Sequence, residues 1–194
     1  MRLFRLLSPL STRLGLAVGG VCTIAAALAP MALQANEVVV VDPILRIRRS
    51  TIIDRGCAVV WPYLSDFSAI GKWYNAFRSV RYLSGPRGKV GEVREIVRAS
   101  NGQLVQEKLI YLDAEGMELA YSHVLNPPAR DIVTLVSLMP VAQGQCQVSW
   151  SNTFRTKPGQ EPGQVTGFFT RAYGNVLQGL KTYVESQTQE PPVR

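Results

Sequence analysis

The sequence predicts an α+β domain in which one antiparallel sheet of seven strands has its apolar face covered by helices. Three observations lead there. From Val80 to Phe154 apolar and polar residues alternate in runs broken by turn signals, the mark of half-buried strands. The breaks are short, so consecutive strands must turn back on one another as antiparallel hairpins. After a polar Gly/Pro stretch at 157–163 the period changes to three and four, as expected of a long helix that rests on a core.

Residues 1–35 read as a secretory signal sequence: Arg2, Arg5 and Arg13 lead into residues 14–29, which carry no charge. Ala32 and Ala35 beyond Pro30 are small residues of the kind a signal peptidase requires, although Leu33 departs from an A-x-A pattern. A signal anchor is the alternative, because residues 14–33 approach the roughly 20 residues of a membrane span. Gly15, Gly19, Gly20 and Pro30 weaken that alternative. The expected organisation is a leader at 1–35, one ligand-binding domain at 36–187 and a polar, disordered tail at 188–194. The expected location is the periplasm or the exterior of a bacterium, or an inner-membrane-anchored form facing the periplasm.

Within the domain, residues 38–53 are rich in Val and Ile and give the first strand, ended by Gly56. Residues 58–64 and 66–73 give two short helices, each too short to stand alone, so they must pack on something larger. Turn signals at 85–88, 101–102, 114–116, 126–128 and 143–144 then delimit six strands at 80–84, 91–98, 104–113, 117–125, 132–140 and 146–155. Val165, Phe168, Phe169, Ala172, Tyr173, Val176, Leu180, Tyr183 and Val184 make the apolar stripe of the final helix. A sheet curved around such a helix leaves room for a pocket between them.

Composition excludes several classes of function. Removing the leader's Arg2, Arg5 and Arg13 takes the formal net charge from +7 to +4. The remaining basic residues are interspersed with acids, and the one cluster, Arg46 to Arg49, suits a solvated strand edge, so no nucleic-acid partner is expected. One histidine and no CxxC spacing leave no metal site and no cofactor to expect. Of three cysteines, Cys57 and Cys146 survive processing, and an oxidising compartment would let them form one bridge.

The ordered set Trp61-Pro62-Tyr63-Leu64-Ser65-Asp66-Phe67, Ile70 and Trp73, then Gly91-Glu92-Val93-Arg94-Glu95-Ile96, resembles the SRPBCC (START-like) superfamily, in its bacterial polyketide cyclase/dehydrase-like branch. Gly102, Glu107-Lys108-Leu109, Asp113, Tyr121, Trp150, Phe154 and the terminal helix extend the resemblance over about residues 45–185. It implies the helix-grip fold, a seven-stranded antiparallel sheet wrapped around the C-terminal helix with a hydrophobic ligand cavity between. Members of that superfamily bind lipids, sterols and polyketides, and some catalyse cyclisation or dehydration. In this fold the first strand lies antiparallel beside the last, which brings Cys57 near Cys146 and allows a disulfide. Two buried free thiols are the alternative.

Strand parity gathers Tyr121 and His123 on one face, and Trp150 and Asn152 on one face of another strand. His123 is the one side chain with an unperturbed pKa near neutrality, so acid or base chemistry on a ligand carbonyl or hydroxyl would fall to it. The plainer reading is a hydrogen-bonded histidine at a strand end. Arg94 and Glu107 occupy positions where the family pattern has the same types, and if inward-facing they could pair or hold a ligand carboxylate or carbonyl. Val93, Glu95 and Val97 make an equally good inner face, which leaves that parity open. Trp73, Phe169 and Tyr173 complete the candidate lining, with core packing as the alternative for each aromatic.

Three functions follow as expectations. The first is an exported protein binding a small hydrophobic ligand (lipid, aromatic or polyketide-like). The second is a cyclase or dehydratase using His123. The third is a periplasmic accessory protein that docks on another protein through the surface around residues 72–81.

Overall fold

A computed structural model describes residues 42–187 of the chain, so the leader at 1–35 and the tail at 188–194 lie outside the described residues. The elements follow in the order β1 (Leu45–Ile53), α1 (Cys57–Ser65), a 3-10 helix (Phe67–Lys72), β2 (Phe77–Ser84), β3 (Val93–Arg98), β4 (Leu104–Asp113), β5 (Glu118–Leu125), β6 (Arg130–Ala142), β7 (Gln145–Arg155) and α2 (Pro162–Ser186). The seven strands form one antiparallel sheet, in the order β1-β7-β6-β5-β4-β3-β2. This is the helix-grip arrangement. The differences from the sequence expectation are local: the second short helix closes as a 3-10 helix, β2 starts at Phe77, and residues 42–44 precede the first strand, whose expected residues 38–41 lie outside the described residues.

Helix α2 begins with Pro162 in its first turn, where a missing N–H costs nothing. It buries Val165, Phe169, Tyr173, Val176, Leu177, Leu180 and Val184. These meet the inner face of the sheet, where Leu119 and Val136 join Val148, Trp150 and Phe154, alternate residues of β7. Each large apolar side chain buried in this way stabilises by about 1.5–3 kcal/mol relative to exposure. Helix α1 carries Pro62 inside it, which removes one N–H from its ladder, and buries Cys57, Val60 and Leu64 against the core.

Cys57 and Cys146 are joined by a disulfide with Cα atoms 4.9 Å apart. The bridge ties the start of α1 to β7 at the position that pairs with Ile53, the last residue of β1. Glu92 is buried just before β3, where its carboxylate accepts from Ser68 Oγ at 2.6 Å and Gly88 N at 2.5 Å. That clamps the 3-10 helix to the loop between β2 and β3. Among the described residues no helix is long and apolar enough to cross a membrane.

Candidate functional site

Between the sheet and α2 lies a cavity of about 360 Å³. Phe168, Phe169, Ala172, Tyr173 and Val176 of α2 form one wall, with Tyr74 and Phe77 beside them. Arg94, Glu107, Tyr121, His123 and Trp150 form the sheet side. Glu107, Tyr121 and Trp150 are buried whereas Ser100, Arg171 and Asn175 are exposed, so the cavity runs from solvent toward the middle of the sheet.

The sheet side carries a band of polar side chains because register aligns them. Arg94 on β3 is opposite Glu107 on β4, and Glu107 is opposite His123 on β5. Tyr121 on β5 is opposite Thr134 on β6, and Thr134 is opposite Asn152 on β7. A register shift between Gln106 and Glu107, with Val124 as the extra residue on β5, sets His123 against Glu107. Parity on β3 is thereby decided: Arg94, Ile96 and Arg98 face inward. Glu95 lies on the opposite face, where Arg81 Nε at 2.7 Å and Gln106 Nε2 at 3.0 Å donate to it.

Arg94 is fully engaged. Its Nε donates to Glu107 Oε2 at 2.8 Å, its Nη2 lies 2.6 Å from the same oxygen, and its Nη1 donates to the Phe67 carbonyl. Its guanidinium carbon stands 3.9 Å from the centre of the Phe67 ring and 5.2 Å from that of Tyr121. Glu107 Oε1 accepts from His123 Nε2 at 3.2 Å. Burial alone would raise the Glu107 pKa, but the charge of Arg94 and the His123 hydrogen bond outweigh it and hold the carboxyl at about 2. Glu107 is therefore an anion at neutral pH. With Nε2–H given to that anion, a neutral His123 ring carries its lone pair on Nδ1. Nδ1 is buried and has no protein partner among the described residues.

Deeper in the band, Trp150 Nε1 donates to the Tyr121 hydroxyl at 3.1 Å, and Thr134 Oγ1 and the Tyr173 hydroxyl lie 3.1 Å apart. Burial pushes both phenols well above their usual range, so each stays a neutral donor. Among the described residues no group of three His, Cys, Asp or Glu side chains is gathered that could hold a metal ion.

Arg94, Glu107, Tyr121, His123, Trp150, Phe169 and Tyr173 all line the cavity. Trp73 does not: its indole N–H donates to the Tyr63 carbonyl at 3.1 Å, and the ring is a core side chain. Asn152 is likewise set apart from the cavity, buried with its amide N and O lacking protein partners among the described residues. The idea of Arg94 as a fork for a ligand carboxylate also needs correcting, since Glu107 and Phe67 already take that fork. The candidate set omitted Arg98, Arg171, Tyr74, Phe77 and Phe168. Once Arg94 faces inward, the period of two brings Arg98 with it. Phe168 and Arg171 flank the buried stripe of α2, where helical period alone does not separate a cavity wall from a solvated edge.

A larger groove of about 990 Å³ lies outside, lined by Trp61, Lys72, Arg81, Tyr82 and Glu92 among others. Most of its charged groups are already engaged: Lys72 pairs with Asp66 at 3.7 Å and Arg81 with Glu95 at 2.5 Å, Glu92 accepts from Ser68 and Gly88, and Arg87 lies over the Tyr82 ring at 4.6 Å. The smaller cavity, with its aromatic wall and buried polar band, has the features of a ligand site.

A sheet gripping a long helix around such a cavity defines a START-like protein. The family model described as polyketide cyclase / dehydrase and lipid transport matches residues 45–185. The chain belongs to that family. Among solved structures it is similar to an uncharacterized protein from Bacillus thuringiensis, at 18% identity and TM-score 0.65, covering 72% of this chain and 98% of that one. It is also similar to the protein XoxI from Bacillus cereus, at 19% identity and TM-score 0.65, covering 73% and 96%. A protein from Nitrosospira multiformis matches at 20% identity and TM-score 0.62, covering 73% and 97%. At these identities the likeness is one of fold. No curated protein matches the chain.

Proposed function

We propose that this chain is an exported binding or carrier protein that holds a small hydrophobic ligand between the sheet and α2. The observation that carries the proposal is the cavity of about 360 Å³, within the size range of small-molecule sites, with aromatic walls and a small number of fixed polar groups. Arg94, Glu107 and His123 hold one another apart from His123 Nδ1, so the sheet side of the cavity keeps its shape and polarity before a ligand enters. Export is supported by the leader pattern and by the Cys57–Cys146 disulfide, since such bonds persist in oxidising compartments. Native mass spectrometry of the protein, purified without detergent from the envelope of its own cells, tests the proposal. A lipophilic adduct of a few hundred daltons is the expected result. A bare protein that also takes up no neutral dye would contradict it.

One observation favours a second reading, an acid–base enzyme. A carboxylate fixed by an arginine orients the imidazole of His123 at the cavity, which is how a general base is held. Against it stands the burial of Nδ1: in this conformation a substrate proton reaches it only if the wall moves. His123→Ala separates the two, since a carrier keeps its ligand affinity within a few fold whereas an enzyme keeps binding and loses turnover.

A further inference from the structure

Arg98 and Arg171 are the two cations at the open end of the cavity. Neither makes an ion pair or a side-chain hydrogen bond among the described residues, which separates them from Arg94 at the inner end. Arg98 shares the inner face of β3 with Arg94 and Ile96, and its guanidinium carbon lies 5.2 Å from the centre of the Phe168 ring. Arg171 projects from α2 beside the same opening. The one carboxylate lining the cavity, Glu107, is held by Arg94 and His123 and does not offset the two cations at the mouth.

We infer that the ligand is an anionic amphiphile. Its apolar or aromatic body lies against Phe168, Phe169 and Tyr173, and its carboxylate, sulfate or phosphate group sits at the mouth between Arg98 and Arg171. This rests on the cavity being a ligand site, as proposed above, and adds the charge of the ligand and the end at which that charge is recognised. Arginine suits the task because its planar fork meets such anions in a bidentate way. The Phe168 ring against Arg98 fixes one fork beside the apolar wall, so the two parts of the ligand are read at one site.

Two dyes of the same anilinonaphthalene body test this with the full-length purified protein: neutral N-phenylnaphthylamine and anionic anilinonaphthalene sulfonate, titrated by fluorescence. The readout is the ratio of their affinities. The expected result is a preference of about tenfold or more for the anionic dye, as charge-assisted hydrogen bonds would give. That preference should shrink as salt is raised. Arg98→Gln/Arg171→Gln should cut the ratio by about tenfold, while the charge-matched control Arg46→Gln/Lys108→Gln, on the sheet surface away from the cavity, should keep it. Inorganic phosphate alone should compete weakly, because it lacks the body that fills the cavity. Equal affinity for both dyes, or a ratio that survives the loss of both arginines, would overturn the anionic assignment and leave the cavity a site for neutral ligands. Binding of neither dye would remove the cavity reading itself, and the assignment with it. Full displacement of the anionic dye by inorganic phosphate would make the mouth a simple anion site and overturn the amphiphile.

Discussion

Replacing Glu107 by glutamine tests whether the buried charge cluster holds the sheet together at the cavity. The carboxylate takes two nitrogens of Arg94 and one of His123, and its pKa of about 2 stands against an ordinary 4.5. Two and a half pH units at about 1.4 kcal/mol each make the ionised form worth about 3 kcal/mol to the folded state. This carboxyl is depressed by folding, so its contribution is complete above 4.5 and is lost as pH falls from 4.5 toward 2. About half of it remains at pH 3. Glu107→Gln keeps the shape but leaves Arg94 buried without a countercharge, and such broken pairs cost about 3–5 kcal/mol. The variant should therefore lose about 3 kcal/mol at pH 7, and its deficit should shrink by about half at pH 3. Urea unfolding followed by tryptophan fluorescence at the two pH values measures both. Arg94→Met/Glu107→Leu, which removes the charges together, should recover much of the loss. A Glu107→Gln deficit below about 0.5 kcal/mol at pH 7, or one of the same size at pH 3, would refute the reasoning.

Two further outcomes follow from other parts of the fold. The disulfide closes a separation of 89 residues, for which loop-closure entropy gives about 4.6 kcal/mol, so Cys57→Ala/Cys146→Ala should melt roughly 10–15 °C lower. Dithiothreitol should bring the parent down to the variant and leave the variant unchanged; a parent indifferent to reduction would count against the bond. Gly174→Ala should stabilise α2 by up to about 1 kcal/mol, since the added methyl would meet nothing nearer than Arg49 Nη2 at 3.8 Å. Gly179→Ala should gain less or lose stability, because its methyl would stand 3.1 Å from Tyr74 Cδ2 and 3.5 Å from the Trp73 carbonyl oxygen. Urea midpoints of the two variants in the opposite order would show that α2 is constrained elsewhere.

The fold was legible because each level of sequence pattern agreed with the next. The alternation after Val80 gave strands, short turns made them antiparallel, and the stripe from Val165 to Val184 gave the gripped helix. The site was legible only in part. Glu107, His123 and Tyr121 follow from parity once the inner face is known, but β3 has buried residues on both faces, so Arg94 and Glu95 could not be told apart. Only the register of β3 against β4 separates them. Trp73 and Asn152 satisfy the same rules of type and position as the lining residues yet lie outside the cavity. Cavity shape depends on how far α2 stands from the sheet at each point, which no periodicity encodes. Arg98 is not legible as a lining residue because an arginine at a strand end reads as solvated by default.

The central claim is that the space between sheet and α2 takes up a small hydrophobic molecule, and filling that space tests it most directly. Ala172 lines the cavity and is half-buried on α2, so Ala172→Phe adds a ring inside it without touching the charge cluster. Titration of the neutral naphthylamine dye into parent and variant is the measurement. The account predicts saturable binding to the parent and at least a tenfold loss in Ala172→Phe at unchanged folding, judged by circular dichroism. Equal dye binding by the two proteins would contradict it.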